Sequence, residues 1–273
     1  MTAEPTACYV PTGEVGPHGG DLVESTRLSA AEWYSDGQHG GVVSALMARA
    51  IEQTPSLTDM AIARLTVELF RVVPVTTLEV VVEVVREGKR IQTTEVRLFD
   101  GGTELARALG QRLRVTDLDL PEAAGEPPHY PDDAKHFTEV MPFRSDGPIT
   151  FGRRGVGIQE VAGSFRAPGP ATTWLTMLVP LVDGEETTGT QRAIVLGDFV
   201  NGMSRVAQPN EWVFMNSDLS VNLAREPVGD WVGVAADSVW QRTGRGIATG
   251  RLYDRGGEVG RATQTVFLDQ AAR

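Results

Sequence analysis

Cysteine, clustered positive charge and long apolar runs are all scarce in this 273-residue chain. Its one cysteine, Cys8, cannot form an internal disulfide, and no neighbouring His or Cys cluster indicates a metal site. No apolar run approaches the roughly 20 residues that span a bilayer. The opening segment also lacks the basic and apolar regions of a signal peptide. These absences predict a cytoplasmic protein without a membrane span.

Basic residues are too few and too scattered for a nucleic-acid surface. The chain has 25 Lys and Arg against 36 Asp and Glu, which gives a formal net charge of -11. Because binding to phosphate backbones is driven by clustered Lys and Arg, we expect no nucleic-acid partner. An anionic ligand would have to be met by single arginines or by backbone amides.

The motifs of several common enzyme classes are missing as well. The sequence contains no GxSxG nucleophile elbow, no HExxH zinc motif, no CxxC pair and no Walker-type phosphate loop. We therefore expect neither a metal nor a cofactor.

What the chain does contain is a copy of itself. Arg97–Ala108 returns 154 positions later as Arg251–Ala262, with seven of the twelve residues identical. The same offset, without a gap, places Leu65–Arg71 on Leu219–Arg225. This period is far longer than the roughly 20 to 50 residues of a solenoid or propeller unit, so each copy is expected to fold as a domain. A linker-like stretch at 117–145, rich in proline and acids, separates an N-terminal domain at 1–135 from a C-terminal domain at 136–273.

Both halves have the same order of predicted elements. The first half has a strand at 21–28, a helix at 42–51 and strands at 61–71, 77–87, 90–99 and 104–115. The second half has a strand at 172–182, a helix at 192–203 and strands at 212–224, 230–241, 246–253 and 258–268. This order predicts an α+β fold in which a curved antiparallel sheet wraps around one central helix, twice in tandem.

Short phrases in a fixed order characterise the second half. They are Asp198–Gly202, Asn216–Leu219, Arg225–Pro227 with Trp231, Arg251–Asp254 and Gly260–Gln264. The first half adds His39-Gly40-Gly41 and the Asp100–Gly102 turn. Together these phrases resemble the acyl-CoA thioesterase II (TesB-like) family. The resemblance implies a tandem double hotdog fold and hydrolysis of a fatty acyl-CoA to free acid and CoA.

The resemblance also implies a catalytic set of Asp, Ser or Thr, and Gln in the second half. Residue by residue the set falls on Asp218, Ser238 and Gln264, with Asp237 in place of the serine if the alignment shifts by one. Under the 154-residue offset these three residues correspond to Arg64, Val84 and Gly110. The copies therefore differ at these positions, although the flanking residues agree. A carboxylate can take a proton from a water that an amide and a hydroxyl hold, without a covalent intermediate. This difference between the copies predicts one active site.

Asp198 is a second candidate acid, which we rank behind the first. Its alternative role is structural, as a helix residue that pairs with Arg192 or Arg205.

His39, Gly40 and Gly41 lie at the start of the first predicted helix. Backbone amides at a helix start, helped by the helix dipole, stabilise an oxyanion, and glycine lets a ligand approach the backbone closely. We expect these residues to bind substrate across the interface between the halves. Gly40 and Gly41 alone explain the motif as a turn into a helix, which leaves His39 a weaker candidate.

Two other functions stay open. A hotdog hydratase or dehydratase acting on an enoyl or hydroxyacyl thioester typically needs a closely spaced Asp and His, which neither predicted helix has. The third is a non-catalytic protein that binds acyl thioesters. In each case the ligand is an acyl thioester, on CoA or on a carrier protein, and exposed sheet edges or faces allow a homo-oligomer.

Overall fold

The computed structural model describes residues 4–33, 36–121, 147–208 and 211–271. In the first half the strands are β1 (Tyr9–Val15), β2 (Asp21–Ser25), β3 (Met60–Leu69), β4 (Thr77–Arg86), β5 (Ile91–Asp100) and β6 (Thr103–Arg114), with helix α1 (Gly40–Glu52). In the second half they are β7 (Val156–Ala162), β8 (Ala171–Met177), β9 (Trp212–Asn216), β10 (Asp218–Leu223), β11 (Trp231–Gln241), β12 (Arg245–Asp254) and β13 (Gly257–Gln270), with helices α2 (Gly189–Gly197) and α3 (Val200–Met203).

All these strands join in one antiparallel sheet. Its order is β1-β2-β4-β5-β6-β3-β10-β13-β12-β11-β8-β7, and β9 pairs with β13 off this path. The two halves meet where β3 pairs with β10, and there Thr66 lies opposite Ser220. These residues are 154 positions apart, so each is the other's copy in the repeat. The sequence repeat is therefore a pseudo-twofold relation centred on this strand pair.

Helix α1 lies in the interior of the molecule. Nine of its 13 residues are buried, and its apolar side chains leave little of its circumference for solvent, which is typical of a helix enclosed by other elements. It packs against α2, the corresponding helix of the second half, and against the strands of its own sheet.

Strand alternation decides which polar residues face these helices. Along β13, Ala262, Gln264 and Val266 are buried, whereas the residues between them are exposed. Along β10 the buried residues are Leu219, Val221 and Leu223, so Asp218 has the opposite parity. Because successive side chains of a strand point to opposite faces, Gln264 faces inward and Asp218 outward.

Two predicted elements are interrupted in the structure. The helix expected at 192–203 divides into α2 and α3 at Asp198 and Phe199, and the strand expected at 212–224 divides into β9 and β10 at Ser217. Strands β1 and β7 were not predicted from the sequence. Pro11 and Gly13 conceal β1, because both residues are disfavoured in strands.

The expected boundary between residues 135 and 136 lies outside the described residues. Within the parts of the chain that the structure describes, no helix has the length and apolar character needed to cross a bilayer.

Candidate active site

The carboxylate of Asp198 lies between the two halves of the molecule. Asp198 is the C-cap of α2, and its Oδ2 accepts a hydrogen bond of 2.6 Å from the backbone N–H of Gly41 in the first turn of α1. The Nδ1 atom of His39 lies 3.2 Å from the same oxygen. A helix start carries unpaired N–H groups and partial positive charge, so it favours an anion at this place.

The other carboxylate oxygen of Asp198 accepts two side-chain amides of the second half. The Nε2 of Gln264 donates to Oδ1 at 2.5 Å, and the Nδ2 of Asn216 donates to it at 3.1 Å. Gln264 is held in turn, since its Oε1 accepts the backbone N–H of Asn201 at 3.2 Å. This hydrogen bond fixes which end of the amide faces the acid.

This cluster is deeply buried. The side chains of Asp198 and His39 are 6% and 2% exposed, and Gln264 is fully buried. Burial raises the pKa of Asp198, although His39, the Gly41 N–H and the two amides oppose that shift. A carboxyl with a raised pKa is a stronger proton acceptor when ionised, as a general base requires.

The His39 ring is the N-cap of α1 and is held by aromatic neighbours. It stacks on Phe199 with ring centroids 4.8 Å apart and has Phe151 at 5.4 Å and Trp33 at 5.8 Å. The Gly41 N–H is 3.2 Å from Nδ1 of the ring but only 2.6 Å from Asp198. The Gly41 N–H is therefore shared between the His39 ring and the carboxylate, with the shorter distance to the carboxylate.

Gly41 is required by the close approach of α1 to α2. A Cβ atom there would lie 2.5 Å from the carbonyl oxygen of Val195 and 2.7 Å from the Cβ of Asp198. At Gly40 a Cβ would lie 3.2 Å from Oδ2 of the same acid. The structure thus places both glycines against the second half.

Two of the three residues predicted as catalytic lie outside this cluster. The Oδ1 of Asp218 accepts the backbone N–H of Thr265 at 2.7 Å, on the outer face of the sheet. The hydroxyl of Ser238 lies on the inner face of β11, 2.6 Å from the hydroxyl of Ser204. Of the predicted catalytic set, only Gln264 contacts Asp198.

The neighbour considered as a substitute for Ser238 is also elsewhere. Asp237 is exposed, and its Oδ1 accepts the hydroxyl of Thr249 at 2.9 Å. Of the arginines considered as partners of Asp198, Arg192 lies 3.6 Å from Asp230, and Arg205 donates to the carbonyl of Gly202.

Asn216 is the site residue that the sequence reasoning missed. It is the first residue of the phrase Asn216–Leu219, in which the sequence prediction selected Asp218. The available signal for Asp198 was its isolation, since it is the only charged residue between Ala193 and Met203. A lone acid in an apolar helical stretch is buried only with partners.

Comparison with protein families decides the relationship of this chain. The family model described as the acyl-CoA thioesterase C-terminal domain matches residues 119–268, and the one described as the acyl-CoA thioesterase N-terminal domain matches residues 29–113. The chain belongs to the acyl-CoA thioesterase family. His39 and Gly41 of the cluster lie in the range matched by the N-terminal domain model. Asp198, Asn216 and Gln264 lie in the range matched by the C-terminal domain model.

Solved structures share the fold of this thioesterase family member at low identity. A protein with a hot dog fold from Alicyclobacillus acidocaldarius matches with a TM-score of 0.70 at 15% identity, over 95% of this chain and 97% of its own. A putative thioesterase II from Thermobifida fusca gives 0.69 at 14%, over 97% and 96%. The tesB protein of Mycobacterium avium subs paratuberculosis gives 0.66 at 14%, over 91% and 92%. These likenesses show the hotdog fold. A search of curated proteins gave no match.

Proposed function

We propose that this protein hydrolyses acyl-CoA thioesters to free acid and CoA, using a water molecule that Asp198 activates. The proposed scaffold is a tandem double hotdog whose halves join through β3 and β10. The observation that carries the proposal is the buried carboxylate of Asp198, shared between Gly41 of one half and Gln264 and Asn216 of the other. Asp198 takes the role that the sequence assigned to Asp218, because its carboxylate faces the start of α1.

The chemistry follows from the groups around that carboxylate. Asp198 removes a proton from water, and the water oxygen bonds to the thioester carbonyl carbon, which makes a tetrahedral oxyanion. The amides of Gln264 and Asn216 orient the acid and water, so the reacting atoms are positioned before reaction. The carbon–sulfur bond then breaks, and the CoA thiolate takes up the proton that Asp198 had accepted.

The oxyanion develops beside the start of α1. Backbone N–H groups of a helix start and the helix dipole stabilise negative charge at a fixed position, which lowers the barrier. The half-buried Gly40 and Asn216 flank the buried acid and form the side from which a thioester would reach it. The His39 ring lies 3.2 Å from the Asp198 carboxylate and limits its movement, and it need not contact the substrate.

A thiol-release assay over saturated acyl-CoAs of increasing chain length tests the proposal. We expect stoichiometric release of thiol and free acid by the purified protein. Water addition to an enoyl-CoA without thiol release would instead establish a hydratase. Tight binding of acyl-CoA without any turnover would establish a binding protein. Either of these two results would overturn the hydrolase.

A further inference from the structure

Arg205 is a buried cation outside the catalytic cluster. The residue is 6% exposed, and its Nε is buried without a hydrogen-bond partner. Within the described residues its side chain donates from Nη1 to the carbonyl oxygen of Gly202 at 3.0 Å, and no acid forms an ion pair with it. Burial lowers its pKa, and no neighbouring charge offsets that effect. Because buried charges are normally paired, this guanidinium indicates an anion supplied from outside the described chain.

Arg205 is connected to the catalytic cluster through α3 and lies two residues after the last residue of that helix. The backbone N–H of Asn201 in α3 donates to Oε1 of Gln264, which holds Asp198. The carbonyl of Gly202 in the same helix accepts the Arg205 guanidinium. Ser204, its neighbour, contacts Ser238 on the inner face of β11 at 2.6 Å. The short helix α3 therefore carries contacts both to the catalytic cluster and to the guanidinium.

A second buried polar group, on α3 itself, also lacks a partner. Asn201 is 6% exposed and its Oδ1 makes no hydrogen bond, although its Nδ2 donates to the carbonyl of Phe214 at 3.3 Å. The Phe214 ring lies 5.4 Å from Trp240, whose Nε1 is likewise buried without a partner. Folded proteins leave few such groups unpaired, so the Nε of Arg205, the Oδ1 of Asn201 and the Nε1 of Trp240 require an explanation.

We infer that the acyl part of the substrate carries a carboxylate that Arg205 binds. This inference rests on the proposed function and specifies its substrate class as dicarboxylic acyl-CoA thioesters. The planar guanidinium forms paired hydrogen bonds with a carboxylate, and the ligand's charge removes the cost of a lone buried cation. A plain fatty acyl chain offers Arg205 no partner.

The test compares adipyl-CoA with hexanoyl-CoA, which have the same number of acyl carbons and differ in a terminal carboxylate against a methyl group. We expect wild type to favour adipyl-CoA in kcat/KM by at least about tenfold. Polar groups that would stay unpaired beside a methyl group discriminate against the substrate that lacks the carboxylate. Arg205→Met should remove that preference, mainly by lowering turnover of adipyl-CoA. Arg205→Lys should keep a part of it, since the charge remains and the paired geometry is lost.

Arg242→Met is the matched control, because Arg242 is exposed on the turn between β11 and β12. It should leave the ratio unchanged. A wild-type preference for hexanoyl-CoA, or a preference that survives Arg205→Met, would overturn the inference.

The two proposals can fail separately. If neither thioester is hydrolysed, the proposed function fails, and calorimetric binding of the same two compounds then decides the role of Arg205. Tighter binding of adipyl-CoA that is lost in Arg205→Met supports the carboxylate site, and equal binding of both compounds contradicts it.

Discussion

The carboxylate of Asp198 and the backbone N–H of Gly41, 157 residues apart in sequence, meet at 2.6 Å. This contact joins the end of α2 to the start of α1, so neither half contains the candidate site alone. A duplication followed by divergence thus gave a site whose acid and helix start come from different copies.

A second contact between the helices joins the end of α1 to the start of α2. Glu52 at the end of α1 accepts the side-chain amide of Gln191 at 2.7 Å near the start of α2. There, however, Glu226 accepts the backbone N–H of Thr190 at 3.3 Å. Glu52 and Glu226 thus place two carboxylates at the start of α2, which disfavours further negative charge there.

Replacement of Gln264 by leucine should lower kcat by about a hundredfold, because the side-chain amide that holds Oδ1 of Asp198 is lost. Leucine fills a similar volume but leaves Asp198 and the Asn201 N–H each short of a partner, so we also expect a loss of about 1–3 kcal/mol in the free energy of unfolding. Gln270→Leu is the matched control, since Gln270 is exposed at the end of the same strand. Equal activity of the two variants would exclude Gln264 from catalysis.

The pH profile should reflect the raised pKa of Asp198. The general base must be ionised, so kcat/KM falls as pH drops through the pKa of Asp198 in the free enzyme. Burial is the largest influence on that pKa and raises it, so the acid limb should lie above the value of about 3.9 for an ordinary Asp. An acid limb at or below that ordinary value would contradict the assignment.

The sequence predicts some parts of the fold and of the candidate site better than others. The dense apolar residues of α1 and the β-rich runs predict the helix and the meander, because burial imposes these patterns directly. Gln264 was predicted because the family resemblance implies an amide there, and the repeat supported it, since the corresponding residue is Gly110, where a Cβ would collide with Ile51. The flanks agreed, so the difference was visible.

Comparison of the two copies could not decide whether Asp198 or Asp218 is the general base. Asp218 and Asp198 both lie in phrases shared with the family. Only the packing of α2 against α1, together with the outward direction of Asp218 on β10, distinguishes them. That packing joins residues more than 150 positions apart, and no local pattern carries this information.

Gly41→Ala should disrupt the contact between the helices. The added Cβ meets the backbone oxygen of Val195 at 2.5 Å, and a backbone atom of a packed helix cannot move aside cheaply. We expect a loss of about 1–3 kcal/mol in the free energy of unfolding, together with a large fall in activity. Urea titration gives the first quantity and thiol release the second. Gly102→Ala, where a Cβ would meet nothing within 4 Å, should change neither by a comparable amount.

Arg225→Met tests a structural ion pair of the second half. Asp254 is 2% exposed and accepts both Arg225 and the backbone N–H groups of Val228 and Gly256. Burial alone would raise the pKa of Asp254, but these donors outweigh it and hold that pKa below the ordinary value. Removal of one partner of a buried carboxylate should cost about 1–3 kcal/mol of unfolding free energy at neutral pH.

The sign of the pH dependence follows from the lowered pKa of Asp254. Its contribution is present above the unfolded value of about 3.9 and is lost as pH falls through the folded value. The difference between wild type and Arg225→Met should therefore shrink in acid. Arg261→Met is the control, because the Arg261 side chain is exposed and its ion pair with Glu258 is worth at most about 1 kcal/mol. An equal cost for both variants would refute the structural role.

The most direct test of the whole account is thiol release by Asp198→Asn and Asp218→Asn, measured side by side with wild type. Each substitution keeps the size of the side chain and removes the carboxylate. We expect Asp198→Asn to lower kcat by at least about a thousandfold, because the general base is gone. We expect the kcat of Asp218→Asn to stay within about threefold of wild type. Full activity in Asp198→Asn, with loss of activity in Asp218→Asn, would contradict it.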